Sequence, residues 1–285
     1  MQSSTATRPG GVDGGRVVLI TGAASGIGLA TAQQLARHGW TVYAGFRPGG
    51  RSTPLSDTPL AASLHWLPLD VTSHESRTAA VSVIERAHGR LDALINNAGI
   101  HAAGPLEAIP EHTLREVMEV NFFAPISLTR ECLPLMRRGG GGSIVMISSL
   151  SALIGLPFDG AYAASKFALE GASESLRYEL EPFDIHVTLI EPGAYATALT
   201  GRTETRLATP SLYPAFERAQ RARAGVSTRG GDPREVAQLV LRLLTEPAAG
   251  LRIPCGAQAV AVAARLATLD ETQRRAFALE AGGVK

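Results

Sequence analysis

Cysteine is scarce. Of 285 residues only Cys132 and Cys255 carry a thiol, too few for a disulfide framework or a cysteine-held metal cluster. A charge excess of one sign is also missing: 27 Lys and Arg stand against 26 Asp and Glu, for a net charge of +1. A nucleic-acid surface calls for a strong basic excess instead. Long apolar runs are absent, and the longest, such as Ile144 to Ile147 and Val187 to Ile190, are strand-sized. They fall far short of the ~20 residues that a bilayer span needs. Residues 1–15 are rich in Ser, Thr and Gly without an apolar stretch. They read as a loose tail, not a secretory leader, so a cytosolic location is expected.

What is present suits one large domain with a full core, since 45% of the chain is hydrophobic and 19% charged. Short apolar runs alternate with longer helical patterns, the signature of βαβ units and a parallel sheet. The expected fold is a single-domain α/β structure over residues 16–256, a Rossmann-type doubly wound parallel sheet with helices on both faces. The Ala-rich stretch 257–285 is expected to form a helical extension that packs on the body or on a partner chain. No internal repeat is visible.

The first strand, Arg16 to Ile20, runs straight into Thr21-Gly22-Ala23-Ala24-Ser25-Gly26-Ile27-Gly28 and a helix. Glycines placed in this way let backbone N–H groups approach a pyrophosphate at a helix N-terminus. Plain turn chemistry would also account for them. The second strand ends in Phe46-Arg47, where a dinucleotide site usually carries an acid for the free ribose 2′-hydroxyl, or a nearby Arg for a 2′-phosphate. Lacking that acid, the site points to NADP(H) as the preferred cofactor, with NAD(H) possible, unless Arg47 only solvates its loop. Asp70 at the third strand's exit is read either as an acceptor for the adenine amino group or as the N-cap of the next helix. Asn96-Asn97-Ala98-Gly99 closes the fourth strand in a turn that suits a ligand's neighbourhood.

One helix is expected from Thr113 to Arg137. Within it Asn121 sits among Val117, Val120, Phe122 and Phe123 and must find partners if buried, either at a kink near Pro125 or in a catalytic role. The fifth strand ends in Ser148-Ser149, thirteen positions before Tyr162. Tyr162 and Lys166, four apart on a helix, share one face. A phenol titrates near ~10, so a fixed ammonium beside it favours the phenolate; the bland reading is a surface contact.

Thr-Gly-x-x-x-Gly-Ile-Gly, Asn-Asn-Ala-Gly, Ser149, Tyr162-x-x-x-Lys166 and Pro192-Gly193-x-x-x-Thr197 occur in this order. The chain thereby resembles the short-chain dehydrogenase/reductases from about Val17 to Thr197. Gly155-Leu156-Pro157-Phe158 and the stretch from Tyr162 to His186 look like the branch of 17-beta-hydroxysteroid dehydrogenase type 1 and the retinol dehydrogenases. The resemblance implies NADP(H)-dependent interconversion of a lipophilic ketone or aldehyde with its alcohol. It implies Tyr162 as acid and base, Ser149 holding the carbonyl oxygen, Lys166 on the nicotinamide ribose, and Asn121 tying a water chain to Lys166. It further implies that the cofactor lies against Gly22, Ala24, Ser25, Gly26, Ile27, Gly28, Arg47, Asp70, Val71, Asn97, Ala98, Gly99, Tyr162, Lys166, Pro192, Gly193, Tyr195 and Thr197. Homodimers or homotetramers built on the helices of Asn121 and Tyr162 are expected as well. A polyketide-like ketone reductase and a dinucleotide sensor without turnover stay as alternatives.

Residues 198–230 are irregular and Arg-rich, which reads as a lid over the site or as a solvated helix. As a lid it would close, with Leu153, Phe158, Tyr195, Tyr213 and Phe216, an apolar pocket. His38, His74, His88, His101 and His112 show no ligand spacing and are read as surface residues. His186 is read as a satisfied polar group in a strand.

Overall fold

The computed structural model describes residues 15–50, 63–195, 213–217, 219, 230–246 and 250–284. Seven strands form one parallel sheet in the order β3-β2-β1-β4-β5-β6-β7. They are β1 (Val17–Ile20), β2 (Thr41–Phe46), β3 (Leu64–Pro68), β4 (Ala93–Asn96), β5 (Gly142–Ile147), β6 (Ile185–Pro192) and β7 (Arg252–Cys255). The order reverses between β1 and β4, which opens a crevice at the carboxyl ends of those strands.

Both faces of the sheet are covered, so the central strands are buried throughout and carry apolar residues without alternation. Val17 and Leu19 join a core with Ile84 of α2 (His74–His88), Leu128 of α4 (Ala124–Arg138) and Leu169 of α5 (Gly160–Leu180). Val18 and Ile20, pointing the other way, join Leu35 of α1 (Gly26–Arg37) and Val240 of α6 (Pro233–Thr245). The two-residue period of a strand thus divides one short run between two cores.

The helix expected from Thr113 to Arg137 is broken into α3 (Glu111–Met118), a π turn (Glu119–Phe123) and α4. Pro125 has no N–H to answer the Asn121 carbonyl four residues back. The ladder slips by one residue there, and the Ala124 N–H bonds to the Glu119 carbonyl. The N-cap of α2 is Ser73, which accepts from the Ser76 N–H at 3.2 Å. Asp70 instead accepts from the Thr72 N–H at 3.0 Å and the Thr72 hydroxyl at 2.8 Å, closing a turn before the helix begins. Asp232 caps α6, with Pro233 in its first turn.

The segment after β7 forms two helices, α7 (Ala257–Leu266) and α8 (Glu271–Ala281). Arg274 of α8 donates to the Leu153 carbonyl at 2.7 Å, and a Cβ at Gly282 would meet Pro157 at 2.7 Å, so α8 lies on the loop that precedes α5. His186 is exposed and sits 3.4 Å from the Asp184 carboxylate, since its side of β6 faces solvent at that position.

Candidate active site

The residues singled out in the sequence converge at the carboxyl ends of β1 to β6. The turn after β1 is tied to both neighbouring strands, with the Thr21 N–H on the Ile95 carbonyl (3.0 Å) and the Ala23 N–H on the Gly45 carbonyl (2.8 Å). Gly22 and Gly26 have φ of +64° and +55°, a region that disfavours a Cβ. A Cβ at Gly28 would lie 2.4 Å from the Gly22 carbonyl and 2.5 Å from Asn97 Nδ2, so turn and helix touch only because that atom is missing. Ser25, the N-cap of α1, makes no side-chain cap, and the first turn holds no acid. The leading N–H groups, with Ala24 and Ile27 beside them, remain available to an anion. These features fit the pyrophosphate of a dinucleotide.

Asn97 braces that cradle: its Nδ2 donates to the carbonyls of Thr21 (2.8 Å) and Gly22 (3.1 Å). The N–H groups of Asn97 and Ala98 both donate to the Thr21 hydroxyl at 2.9 Å. Arg47 lies exposed just past β2, and among the described residues no acid pairs with it. Asp70 and Val71 lie past β3, the Val71 carbonyl accepting from Arg77 at 2.8 Å. Gly99 packs beside Asn121, and Gly193 follows Pro192 with its N–H on the Cys255 carbonyl at 3.3 Å. Thr197 lies outside the described residues.

Ser149 caps a short turn after β5, accepting from the Ser151 N–H at 3.1 Å, and its hydroxyl is close enough to the Tyr162 phenol to favour the phenolate. Burial raises the Tyr162 phenol well above its ordinary value, and Asp159 pushes the same way. The Ser149 contact opposes both by favouring the phenolate. Lys166, one turn further along α5, donates to the Ile147 carbonyl at 2.8 Å and holds its ammonium 5.6 Å from the Tyr162 ring centroid. Desolvation lowers Lys166 to about 8 against an upward pull from Glu170. Ser149 favours the phenolate, and the Lys166 ammonium lies over the same ring. The phenol, raised by burial, stands next to an ammonium that among the described residues uses one N–H, on the Ile147 carbonyl.

Asn121 is buried in the π turn, with Oδ1 accepting from the Ile100 N–H at 2.9 Å and Nδ2 donating to the Ile100 carbonyl and the Ser165 hydroxyl at 2.9 and 3.0 Å. Its side chain bridges backbone at a helix irregularity; its main-chain carbonyl is the group that Pro125 leaves without an α-helical donor.

Tyr195 lies outside the lining of the cleft beside α5. It is buried in the core, its hydroxyl donating to Glu235 at 2.9 Å, because the chain leaving β6 turns it towards α6. That cleft of about 520 Å³ opens beside the start of α5, lined by Gly104 to Glu107, Gly155 to Phe158, Tyr213 and, from α8, Arg275, Ala278 and Leu279. Phe158 holds a φ of +65°, rare for a bulky residue, and its ring meets Tyr213 and Phe216 edge-on at 6.2 and 5.3 Å. Leu153 is half-buried outside the cleft lining. Most of the expected lid lies outside the described residues.

His101 is a residue the sequence does not single out. Far from being a surface side chain, it packs its ring edge-on against Tyr162, centroids 4.7 Å apart. Its partner Asp159 lies 58 positions away, so no local spacing betrays the pair.

A Gly-rich cradle at the switch point of a doubly wound sheet, with a buried phenol and a lysine beside it, defines a dinucleotide-dependent oxidoreductase. The family model described as short chain dehydrogenase matches residues 16–208, and the chain belongs to that family, whose members act on CH–OH and keto groups. It is 36% identical over 251 residues to 17-beta-hydroxysteroid dehydrogenase type 1 of Homo sapiens, covering 83% of this chain and 76% of that protein. It is 42% identical over 193 residues to retinol dehydrogenase 8 of Homo sapiens, covering 66% of this chain but only 61% of that protein. A crystal structure of a short chain dehydrogenase from Burkholderia cenocepacia J2315 in complex with NADP superposes with a TM-score of 0.72 at 28% identity, over 94% of this chain and 98% of the other. The likeness read from the catalytic helix is borne out by these relatives.

Proposed function

We propose that this protein interconverts a lipophilic ketone or aldehyde and its alcohol with NADP(H), with Tyr162 giving the proton in reduction and taking it in oxidation. The observation that carries the reading is the buried Tyr162 phenol beside Ser149 and Lys166, at the strand ends that bear the glycine cradle. When bound, the nicotinamide supplies the hydride. Ser149 donates to the substrate oxygen as charge develops there, Lys166 turns its free N–H groups to the ribose hydroxyls, and the Asn121 carbonyl anchors water that links Lys166 to solvent. The apolar cleft walled by Phe158, Tyr213 and Leu279 takes the body of the substrate. A steroid and a retinol dehydrogenase among the relatives support a substrate of that kind. The exposed Arg47 and the missing acid after β2 support NADP(H).

The chain assembles with itself through α4 and α5, where Phe167 and Tyr178, and Phe123 just before α4, stay exposed. No described helix is long and apolar enough to cross a membrane.

The reading is tested by following NADPH and NADH absorbance with steroid, retinoid and simple ketones, for the wild type and Arg47→Ala. NADPH-dependent reduction of the large ketones is expected. Arg47→Ala should raise the NADPH KM by about tenfold, the worth of one charge-assisted hydrogen bond, and leave the NADH KM nearly unchanged. Equal effects on both cofactors contradict the assignment of the 2′-phosphate, and absence of turnover contradicts the activity.

A further inference from the structure

Lys166 is buried, and among the described residues no acid forms an ion pair with it; its ammonium donates to the Ile147 carbonyl at 2.8 Å. A cation taken out of water without a counter-charge is costly. One turn further along α5, on the same face, stands a buried acid, Glu170. Two donors fix it: the Ser148 hydroxyl on Oε1 and Arg252 Nε on Oε2, each at 2.6 Å. Both oxygens accept, so the group is held as a carboxylate. Ser148 stands between Ile147, whose carbonyl binds Lys166, and Ser149 beside the Tyr162 phenol, so Glu170 is tied to the strand exit that serves both. Around the pair, α5 also brings Tyr162 and Glu174, the latter accepting from Arg252 at 2.9 Å, and β6 brings Glu191, whose Oε1 is buried without a partner. Of these acids, Glu170 is the one whose charge acts on the ammonium.

Resting on the oxidoreductase reading above, we propose that Glu170 is a positioning residue of the reaction: fixed by Ser148 and Arg252, it supplies across the low-dielectric interior the counter-charge that the buried Lys166 ammonium lacks at contact. Its role is exercised through Lys166 and not on the substrate. Without it, desolvation would carry Lys166 below about 8 and neutralise the lysine within the working range. Arg252 and Ser148 matter because they keep the carboxylate charged and aimed.

The test follows NADPH-dependent kcat/KM across the neutral and alkaline range. Glu170→Gln keeps the size of the side chain and an acceptor for Ser148 but removes the charge. The midpoint of the alkaline fall, near 8 in the wild type, should drop by about one pH unit. In a Lys166→Arg background, where the cation does not titrate in this range, the same substitution should leave the profile flat. Glu170→Gln with Arg252→Met removes both ends of the ion pair, so no unmatched charge is buried. Arg252 is the more exposed of the two and its loss counts for less, so this variant should lower the midpoint in the same direction and serves if the single one does not fold. A uniform loss of activity with the midpoint unmoved would show a merely structural acid, and a shift that persists in the Lys166→Arg background would show an action on another group; either overturns the inference alone. Absence of turnover in the wild type overturns the oxidoreductase reading along with it.

Discussion

At Lys166, desolvation takes the ammonium down to about 8 while Glu170, one helical turn on, pulls the other way. The sign follows directly: with the folded pKa lowered from 10.5, the group is a cation below about 8 and neutral above it. NADPH-dependent kcat/KM should therefore fall as pH rises through 8, because that parameter reports the free enzyme. Lys166→Arg, slower but charged throughout, should lack the fall; a flat wild-type profile to pH 10, or the same fall in the variant, contradicts the role. Behind Lys166 lies a buried acid pair. Glu170 accepts from Ser148 and from Arg252, both at 2.6 Å. Glu191 is raised, first by burial and then by Glu170, so it holds the proton that the pair shares. A carboxyl raised on folding adds stability that is full below its ordinary 4.5 and is lost as pH climbs towards neutrality. Thermal melts of Glu191→Gln should lose that part of the slope, and melting curves parallel to wild type across the range would contradict it.

Among the elements, the β1–α1 turn gives the sharpest test. Gly28→Ala puts a methyl within 2.4 Å of the Gly22 carbonyl and 2.5 Å of Asn97 Nδ2. The turn must move, at about 1–3 kcal/mol for such overpacking. NADPH affinity, read by fluorescence titration, should fall about tenfold or more on the same scale; affinity within twofold of wild type would show that the cradle does not hold the cofactor. This turn was legible in the sequence because its chemistry is local: glycines, a strand before and a helix after. The break in the helix at Glu119–Phe123 was half legible, since Pro125 marks the lost N–H but not which way the ladder slips. Of the two readings of Asp70, the N-cap one gives way because Ser73, three residues on, is as good a cap and starts the helix later. The direction of the Tyr195 side chain was not legible, because it depends on what packs where the strand ends, in this case Glu235 of α6.

For the whole molecule, the doubly wound parallel sheet and the gathering of Ser149, Tyr162 and Lys166 at its strand ends were readable from alternating βα units and motif order. His101 was not readable. It reaches Tyr162 only through the packing of a loop whose anchor, Asp159, stands beside the strained Phe158 on the far side of two helices and a strand. The near balance of charge gives no steering field, and among the described residues Phe123, Phe167, Tyr178 and Phe183, at or next to α4 and α5, are exposed. Recognition thus falls to the cleft and not to long-range attraction.

The central claim, that Tyr162 exchanges the proton, is tested most directly by single-turnover oxidation of bound NADPH with a ketone substrate in Tyr162→Phe. The account predicts a loss of about 10²- to 10⁴-fold with NADPH affinity nearly unchanged. Retention of more than about a tenth of the wild-type rate, below what a general acid contributes, would contradict it.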